Sequence, residues 1–204
     1  PCATHVIVAM GSVCDTVKTV VDTLNNEAEK VGVIEVHLYR PFSTKYLLEV
    51  LPKSVSVIAV LDRTKEAGSI GEPLYLDIVE AVKTRNIEVY GGRYGLSSKD
   101  VPLKDINAVF KNIMSDNPKH NFTIGINDDV THLSLESVNI KVDVDYKEIK
   151  VFGYGSDGMV GASKNLMKVL GEKEGKFAQG YFEYDSKKSG GVTISHLRVG
   201  PNKI

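Results

Sequence analysis

The sequence predicts an α/β fold built on a parallel sheet, and three observations carry that prediction. Short apolar runs of strand length, HVIVAM at His5 to Met10, VGVIEVHLY at Val31 to Tyr39 and SVSVIAVL at Ser54 to Leu61, alternate with segments of helical period. Glycine, proline and serine punctuate the joints, at Gly11-Ser12, Arg40-Pro41 and Gly91-Gly92. A third signal lies further on, where Glu148 to Leu170 reads as a strand, a glycine-rich turn and a helix.

Taken in order, His5 to Met10 is the first strand, and Ser12 has the chemistry of an N-cap for a helix through Val13, Val17, Val20, Val21 and Leu24. Val31 to Tyr39 is the second strand, stopped at Arg40-Pro41 because proline cannot donate to a ladder. Ser43 caps a short helix from Thr44 to Leu51, and Pro52 ends it. Ser54 to Leu61 is the strongest strand pattern in the chain. Gly71 to Val82 is helical, with Pro73 tolerated in the first turn. Ile87 to Tyr90 is a fourth strand, and Asp105 to Met114 a helix with Ile106, Val109, Phe110 and Ile113 on its apolar stripe.

This alternation makes residues 1–115 one parallel, Rossmann-like α/β unit joined by right-handed crossovers. Ligands in such sheets sit beyond the carboxyl ends of the strands, so Gly11, Arg40, Asp62 and Gly91 are expected on one edge. The same four residues read more readily as ordinary loop positions, since many α/β domains bind nothing there. Asp62-Arg63-Thr64-Lys65-Glu66 follows the strongest strand; it suits an anionic ligand or an ion-paired interface, and suits a solvated loop as well. Residues 116–147 differ in texture, with a turn-forming SDNPKHN and then polar and β-branched residues in alternation. They read as edge strands or as a linker between two domains.

A second α/β unit begins at residue 148 and runs to 204. Gly153, Gly155 and Gly158 have G-x-G-x-x-G spacing, and Val160, Leu166, Val169 and Leu170 share a helical face. Glycines permit positive φ and close backbone approach, while the helix N-terminus offers free amides and a dipole to an anion. Such spacing also belongs to a tight turn that binds nothing. The stretch YDSKKSGG at Tyr184 to Gly191 supplies Lys187 and Lys188, two mobile ammonium groups suited to phosphates. A βαβ crossover making Glu148–Phe152 and Lys176–Tyr184 neighbours would bring both loops to one edge. Gly155, Ser156, Asp157, Gly158, Lys187 and Lys188 are therefore the candidate binding residues, for a ligand with several phosphates such as coenzyme A. Asp157 adds a negative charge to that loop and is a candidate helix cap.

Composition excludes more than it selects. A net charge of −1 over 204 residues sets up no field for nucleic acid or an anionic membrane. No apolar run approaches the roughly 20 residues that cross a bilayer. Cys2 and Cys14 lack metal-ligand spacing and suit a reducing compartment. The five histidines are scattered, and no serine sits in a G-x-S-x-G elbow. The residues offer no catalytic set and no metal site.

Several long motifs in order carry a resemblance across nearly the whole chain: YRPFSTKYLLEVLP, VLDRTKEAGSIGEPLYLDIVEAV, GYGSDGMVGASKN and FAQGYFEYDSKKSGGVTISHLRVG. Together they are similar to pyruvate:ferredoxin (flavodoxin) oxidoreductases, the pyruvate synthases. Met159 and Ser163 depart from that family's usual Thr and Asn, while Ser156, Asp157, Gly158 and Lys164 match. The resemblance implies that 1–115 is a transketolase C-terminal-like domain and 148–204 the front of the domain associated with coenzyme A. It also implies an enzyme that decarboxylates pyruvate oxidatively to acetyl-CoA with thiamine diphosphate and 4Fe–4S clusters, and passes electrons to ferredoxin or flavodoxin. The implied partners are the remaining domains of the same enzyme and a second copy in a homodimer, in the cytoplasm or, for an anaerobic protist, the hydrogenosome. The thiamine and cluster motifs are missing from this stretch, so it is expected to be non-catalytic by itself. Two other readings stay open on the residues: a stand-alone nucleotide- or coenzyme-A-binding module, and a segment that only docks and dimerises a larger enzyme.

Overall fold

A computed structural model describes residues 2–127, 130–185 and 190–203. The chain divides into two compact units, the first ending at Val142 and the second beginning at Asp143.

In the first unit five parallel strands form one sheet: β1 His5–Ala9, β2 Val31–Glu35, β3 Val57–Asp62, β4 Glu88–Arg93 and the two-residue β5 Phe122–Thr123. Their order is β2-β1-β3-β4-β5. The helices are α1 Val13–Asn26, α2 Thr44–Val50, α3 Pro73–Val82 and α4 Leu103–Ile113. Helix α1 packs against α4, and α2 against α3. Strand alternation sorts the core accordingly. Ile7 and Ala9 of β1 join Val17, Val20, Ile106 and Phe110 from α1 and α4. Val6 and Val8, from the same strand, join Leu47, Leu74 and Ile78 from α2 and α3. Both faces of the sheet are thus covered, which explains why its strands read as continuous apolar runs.

Several joints differ in detail from expectation. Ser12 does not cap α1: its backbone is already helical, at φ −61° and ψ −22°, and its hydroxyl makes no capping bond. The turn is made by Gly11 at φ +78°, whose carbonyl accepts from Cys14 N–H at 3.0 Å. Ser43 does cap α2, accepting from Tyr46 N–H at 3.4 Å. Helix α3 begins at Pro73, two residues later than Gly71, because Glu72 is still extended. Gly91 lies inside β4 and not in the loop after it.

The segment beyond α4 is pinned back onto the first unit. Phe122 pairs with Gly92 in register, and a Cβ on Gly92 would stand 2.2 Å from the Phe122 ring, so only glycine lets that strand seat. Further along, Asn107 Nδ2 donates to the carbonyls of Val138 and Asn139, and Lys119 Nζ donates to those of His132 and Ser134.

The second unit is a three-stranded sheet with one helix: β6 Lys147–Tyr154, α5 Met159–Glu174, β7 Phe177–Glu183 and β8 Val192–Gly200. The strand order is β6-β8-β7, with β8 antiparallel to both neighbours. The expectation that β6 and β7 are adjacent is therefore corrected. They run parallel to each other, as a βαβ unit requires, but β8 fills the gap between them. The central place goes to the strand with most to bury, since Ser195, Leu197 and Val199 are all buried. Helix α5 covers one face: Met167 Sδ would lie 2.5 Å from a Cβ on Gly180, whose partner across the ladder is Leu197. On the opposite face Phe152, Tyr154, Tyr181 and Val192 are exposed.

Candidate functional site

Two places gather the residues that the sequence singles out, one in each unit. At the carboxyl edge of the first sheet, Gly11 and Ser12 after β1 meet Asp62 at the end of β3 and Arg63 and Thr64 after it. With Tyr39, Pro73 and Tyr94 they line a crevice of about 430 Å³. This is where the strand order reverses direction, between β1 and β3.

The chemistry at that edge is already committed to structure. Asp62, 3% exposed, accepts from the amides of Leu74 at 3.0 Å and Tyr75 at 3.1 Å, satisfying the first turn of α3. Burial pushes its carboxyl above the ordinary range, and the two amides pull the other way. Arg40 stacks 3.8 Å over the Tyr39 ring and pairs with Asp77 at 2.7 Å. Gly91 donates its amide to His120 Nδ1, and burial with the nearby Arg93 lowers the His120 pKa. Next to these, the fully buried Glu72 pairs with Arg93 at 2.6 Å, and its second oxygen has no partner. Gly11 and Asp62 do share the edge; Arg40 and Gly91 are held in other contacts.

The second place is the turn between β6 and α5. Ser156 at φ +65° and Gly158 at φ +83° reverse the chain, and Gly153 lets it pass close to Met159 and Thr193. Asp157 closes the turn on itself: Oδ2 accepts from Tyr154 N–H at 2.7 Å and Oδ1 from Met159 N–H at 2.9 Å. Gly155 N–H donates to Gly191 O at 2.7 Å, stitching the turn to the start of β8. Residues 154–158, Val160, Tyr184, Asp185, Gly191 and Thr193 then enclose a cavity of about 420 Å³.

Gly155, Ser156, Asp157 and Gly158 therefore line one pocket, together with Tyr184 and Asp185 from the end of β7. Lys187 and Lys188 lie outside the described residues. Asp157 stands one residue before the N-cap, Gly158, and its carboxylate takes the first amide of α5, that of Met159. Lys164 lies outside the lining, its Nζ 5.3 Å from the Phe182 ring centroid. Ser163 is buried with an unpartnered hydroxyl and is absent from the lining too. Sequence reasoning missed Tyr154, Tyr184 and Thr193. Their signal was position alone, each within a few residues of a glycine turn.

Among the described residues no three His, Cys, Asp or Glu side chains gather in a metal-binding group, and no helix is long and apolar enough to cross a membrane. The chain's two cysteines, Cys2 exposed and Cys14 buried in α1 with its thiol pushed up to about 11, do not supply the four thiolates of a 4Fe–4S cluster.

Residues 3–106 match the family described as pyruvate:ferredoxin oxidoreductase core domain II, and residues 148–204 match pyruvate ferredoxin/flavodoxin oxidoreductase. Over its whole length the chain is 54% identical to a pyruvate:ferredoxin oxidoreductase of Moorella thermoacetica and 52% identical to a pyruvate-flavodoxin oxidoreductase of Enterobacter agglomerans. A probable pyruvate-flavodoxin oxidoreductase of Escherichia coli is 50% identical over the same extent. The chain spans 18% of the length of each of these relatives. Two family matches in the order of two folded units, with identity of one half or more throughout, place this chain in the pyruvate:ferredoxin (flavodoxin) oxidoreductase family.

Proposed function

We propose that this chain works as a two-unit stretch of an enzyme that oxidatively decarboxylates pyruvate, hands two electrons to ferredoxin or flavodoxin and joins the acetyl group to coenzyme A. The observation that carries the reading is end-to-end identity with relatives named for pyruvate and for those two electron carriers. Thiamine diphosphate and the 4Fe–4S clusters belong to other parts of the full-length enzyme, since this stretch lacks the thiols and the motifs to hold them. By itself the stretch is non-catalytic, and its partners are the remaining domains, a second copy in a homodimer and the electron carrier, in the cytoplasm.

The first unit is then scaffold, its edge carboxylates being committed to α3 and to Arg93. The second unit meets coenzyme A through Gly155, Ser156, Asp157 and Gly158, with Lys187 and Lys188 supplying charge for the phosphates. The pocket that the glycine turn shares with the end of β7 supports that assignment.

The test is a Lys187→Ala, Lys188→Ala variant of the full-length enzyme. Each lysine–phosphate contact is worth about 1–3 kcal/mol. The KM for coenzyme A is expected to rise at least tenfold, with the KM for pyruvate unchanged. Unchanged coenzyme A dependence would remove the lysines from the site. The isolated 204-residue chain is expected to give no pyruvate-dependent viologen reduction, and measurable turnover would overturn its non-catalytic status.

A further inference from the structure

In the first unit, strand β4 meets the two-residue β5 in a pairing that begins only at Gly92. One residue earlier, Gly91 donates its amide to His120 Nδ1 at 3.2 Å. The imidazole thus takes the place that a strand carbonyl would have filled. Because His120 lies two residues before Phe122, the bond ties the entry of β5 to β4. An amide only donates, so Nδ1 must present its lone pair, and the bond exists only while that nitrogen carries no proton. The other contacts of this segment carry no such condition. Arg93 Nη1 donates to Asn121 O, Asn112 Oδ1 accepts from Lys119 N–H, and Phe122 is fully buried.

The elements packed against the ring set the cost of charging it. From α3 come Tyr75, its ring centroid 5.2 Å away, and Glu72 at the N-cap; from β4 come Tyr90 at 6.2 Å and Arg93. Tyr75 also lies over Gly91, its ring 3.2 Å from where a Cβ would stand, so the bond is sheltered. Both tyrosines are neutral where histidine titrates. Glu72 favours an imidazolium, but its carboxylate is already paired with Arg93 at 2.6 Å, and Arg93 opposes one. Lys119, next in sequence, gives its ammonium to the carbonyls of His132 and Ser134. Burial first, and then Arg93, outweigh Glu72 and hold the His120 pKa below its ordinary 6.5.

We propose that His120 is an acid-sensitive latch, which holds the segment from Lys119 to Thr123 against β4 while its imidazole is neutral and releases it when Nδ1 takes a proton. Released, the ring titrates near 6.5; latched, it resists protonation to lower pH. The latch is therefore at full strength above about 6.5 and weakens as pH falls through the lowered folded value. Linkage limits the change in the closed-to-open ratio to about tenfold for each pH unit in that window. The buried Phe122 and the sheet behind it do not titrate, so opening is local. Acidification is felt at the seam between β4 and β5 before it reaches the rest of the unit.

The experiment measures amide hydrogen exchange in the full-length holoenzyme, corrected for the intrinsic pH dependence of exchange, in peptides covering Gly91 and residues 115–127. Protection there is expected to drop several-fold, and at most about tenfold, between about pH 7.5 and about pH 5.5, while β1 and β3 keep theirs. His120→Gln supplies an amide oxygen that accepts from Gly91 at either pH. It should keep wild-type protection at the higher pH and lose the drop at the lower. His120→Ala removes the acceptor and should show the low protection at both. The wild-type profile needs no variant, so it decides the matter even where a substitution unfolds the chain. Flat wild-type protection overturns the latch. So does a drop of equal size in β1 and β3, which is global acid unfolding, and so does a drop that persists in His120→Gln, which assigns the titration to another group.

Discussion

The sheet of the first unit is covered by helices on both faces, whereas the sheet of the second carries a helix on one face and shows aromatic side chains on the other. Both units nevertheless use an aspartate near a strand-to-helix joint in a related way. Asp62 at the end of β3 accepts from the amides of Leu74 and Tyr75 at the head of α3. Asp157 after β6 accepts from Tyr154 before the turn and Met159 at the head of α5. The first carboxylate is buried and the second is open to water. The hydrogen bonds are comparable in length; what water does to each is different, and that sets how much each position is worth.

The contrast breaks most visibly at the buried charge of the first unit. Arg93→Ala leaves Glu72 buried without a counter-charge, where one of its oxygens already lacks a partner. A loss of about 3–5 kcal/mol is expected in chemical denaturation. The exposed pair Arg198 with Glu148 in the second unit is expected to cost under about 1 kcal/mol on the same substitution. Equal effects would mean that burial does not govern the difference.

Two strand glycines sharpen the same comparison at the level of packing. Gly92→Ala drives a methyl into the Phe122 ring, which is completely buried and has nowhere to go. Gly180→Ala meets Met167, whose thioether can rotate aside. About 2–3 kcal/mol is expected for the first and about 1 kcal/mol for the second, read from denaturation midpoints at constant slope.

The two aspartates give the smallest contrast and a distinctive pH signature. Asp62→Ala is expected to cost about 2 kcal/mol by stranding two helix amides, and Asp157→Ala about 1 kcal/mol, since water reaches the amides it frees. Burial holds the Asp62 carboxyl above its ordinary 3.8, so the folded state binds that proton more tightly than the unfolded state. Its contribution is therefore full below about 3.8 and is lost as pH rises through the elevated folded value. The stability of wild type relative to Asp62→Asn should fall across that window; a difference that grows with pH would refute the assignment.

Much of the first unit was legible because its signals are local. Ser54 to Leu61 reads as a strand from β-branched density, though the strand itself starts at Val57, and α4 reads from the spacing of Ile106, Val109, Phe110 and Ile113. The caps were less legible. Ser12 has the right chemistry for a cap, yet Gly11 makes the turn first; α3 is capped by Asp62 from ten residues before its N-cap position, which no local pattern signals. Gly91-Gly92 looks like a turn in sequence and is strand in space, because Phe122, thirty residues away, needs the room. In the second unit the glycine turn and its helix were readable, but the adjacency of β6 and β7 from which the meeting of their loops was expected was not, because β8 lies between them. The places of Tyr154 and Tyr184 beside the turn were not readable, because an exposed tyrosine next to a turn has no periodicity to announce it. Nor was the place of β8, since an alternating strand says which face is buried without naming its neighbours.

The position of β8 has a consequence for the order in which the second unit can be made. Strands β6 and β7 are translated first, but they make no ladder with each other, and each finds its hydrogen-bonding partner only when Val192–Gly200 arrives between them. Until then the unit has a helix and two strands separated by an empty lane of roughly one strand width, about 4.8 Å from each neighbour. No partial sheet is available to build on, so closure is a late, all-or-none event with long sequence separation, the kind that slows folding. A nascent chain stalled before Val192 should be open to protease throughout 147–183, and the same residues should become protected together once β8 has emerged.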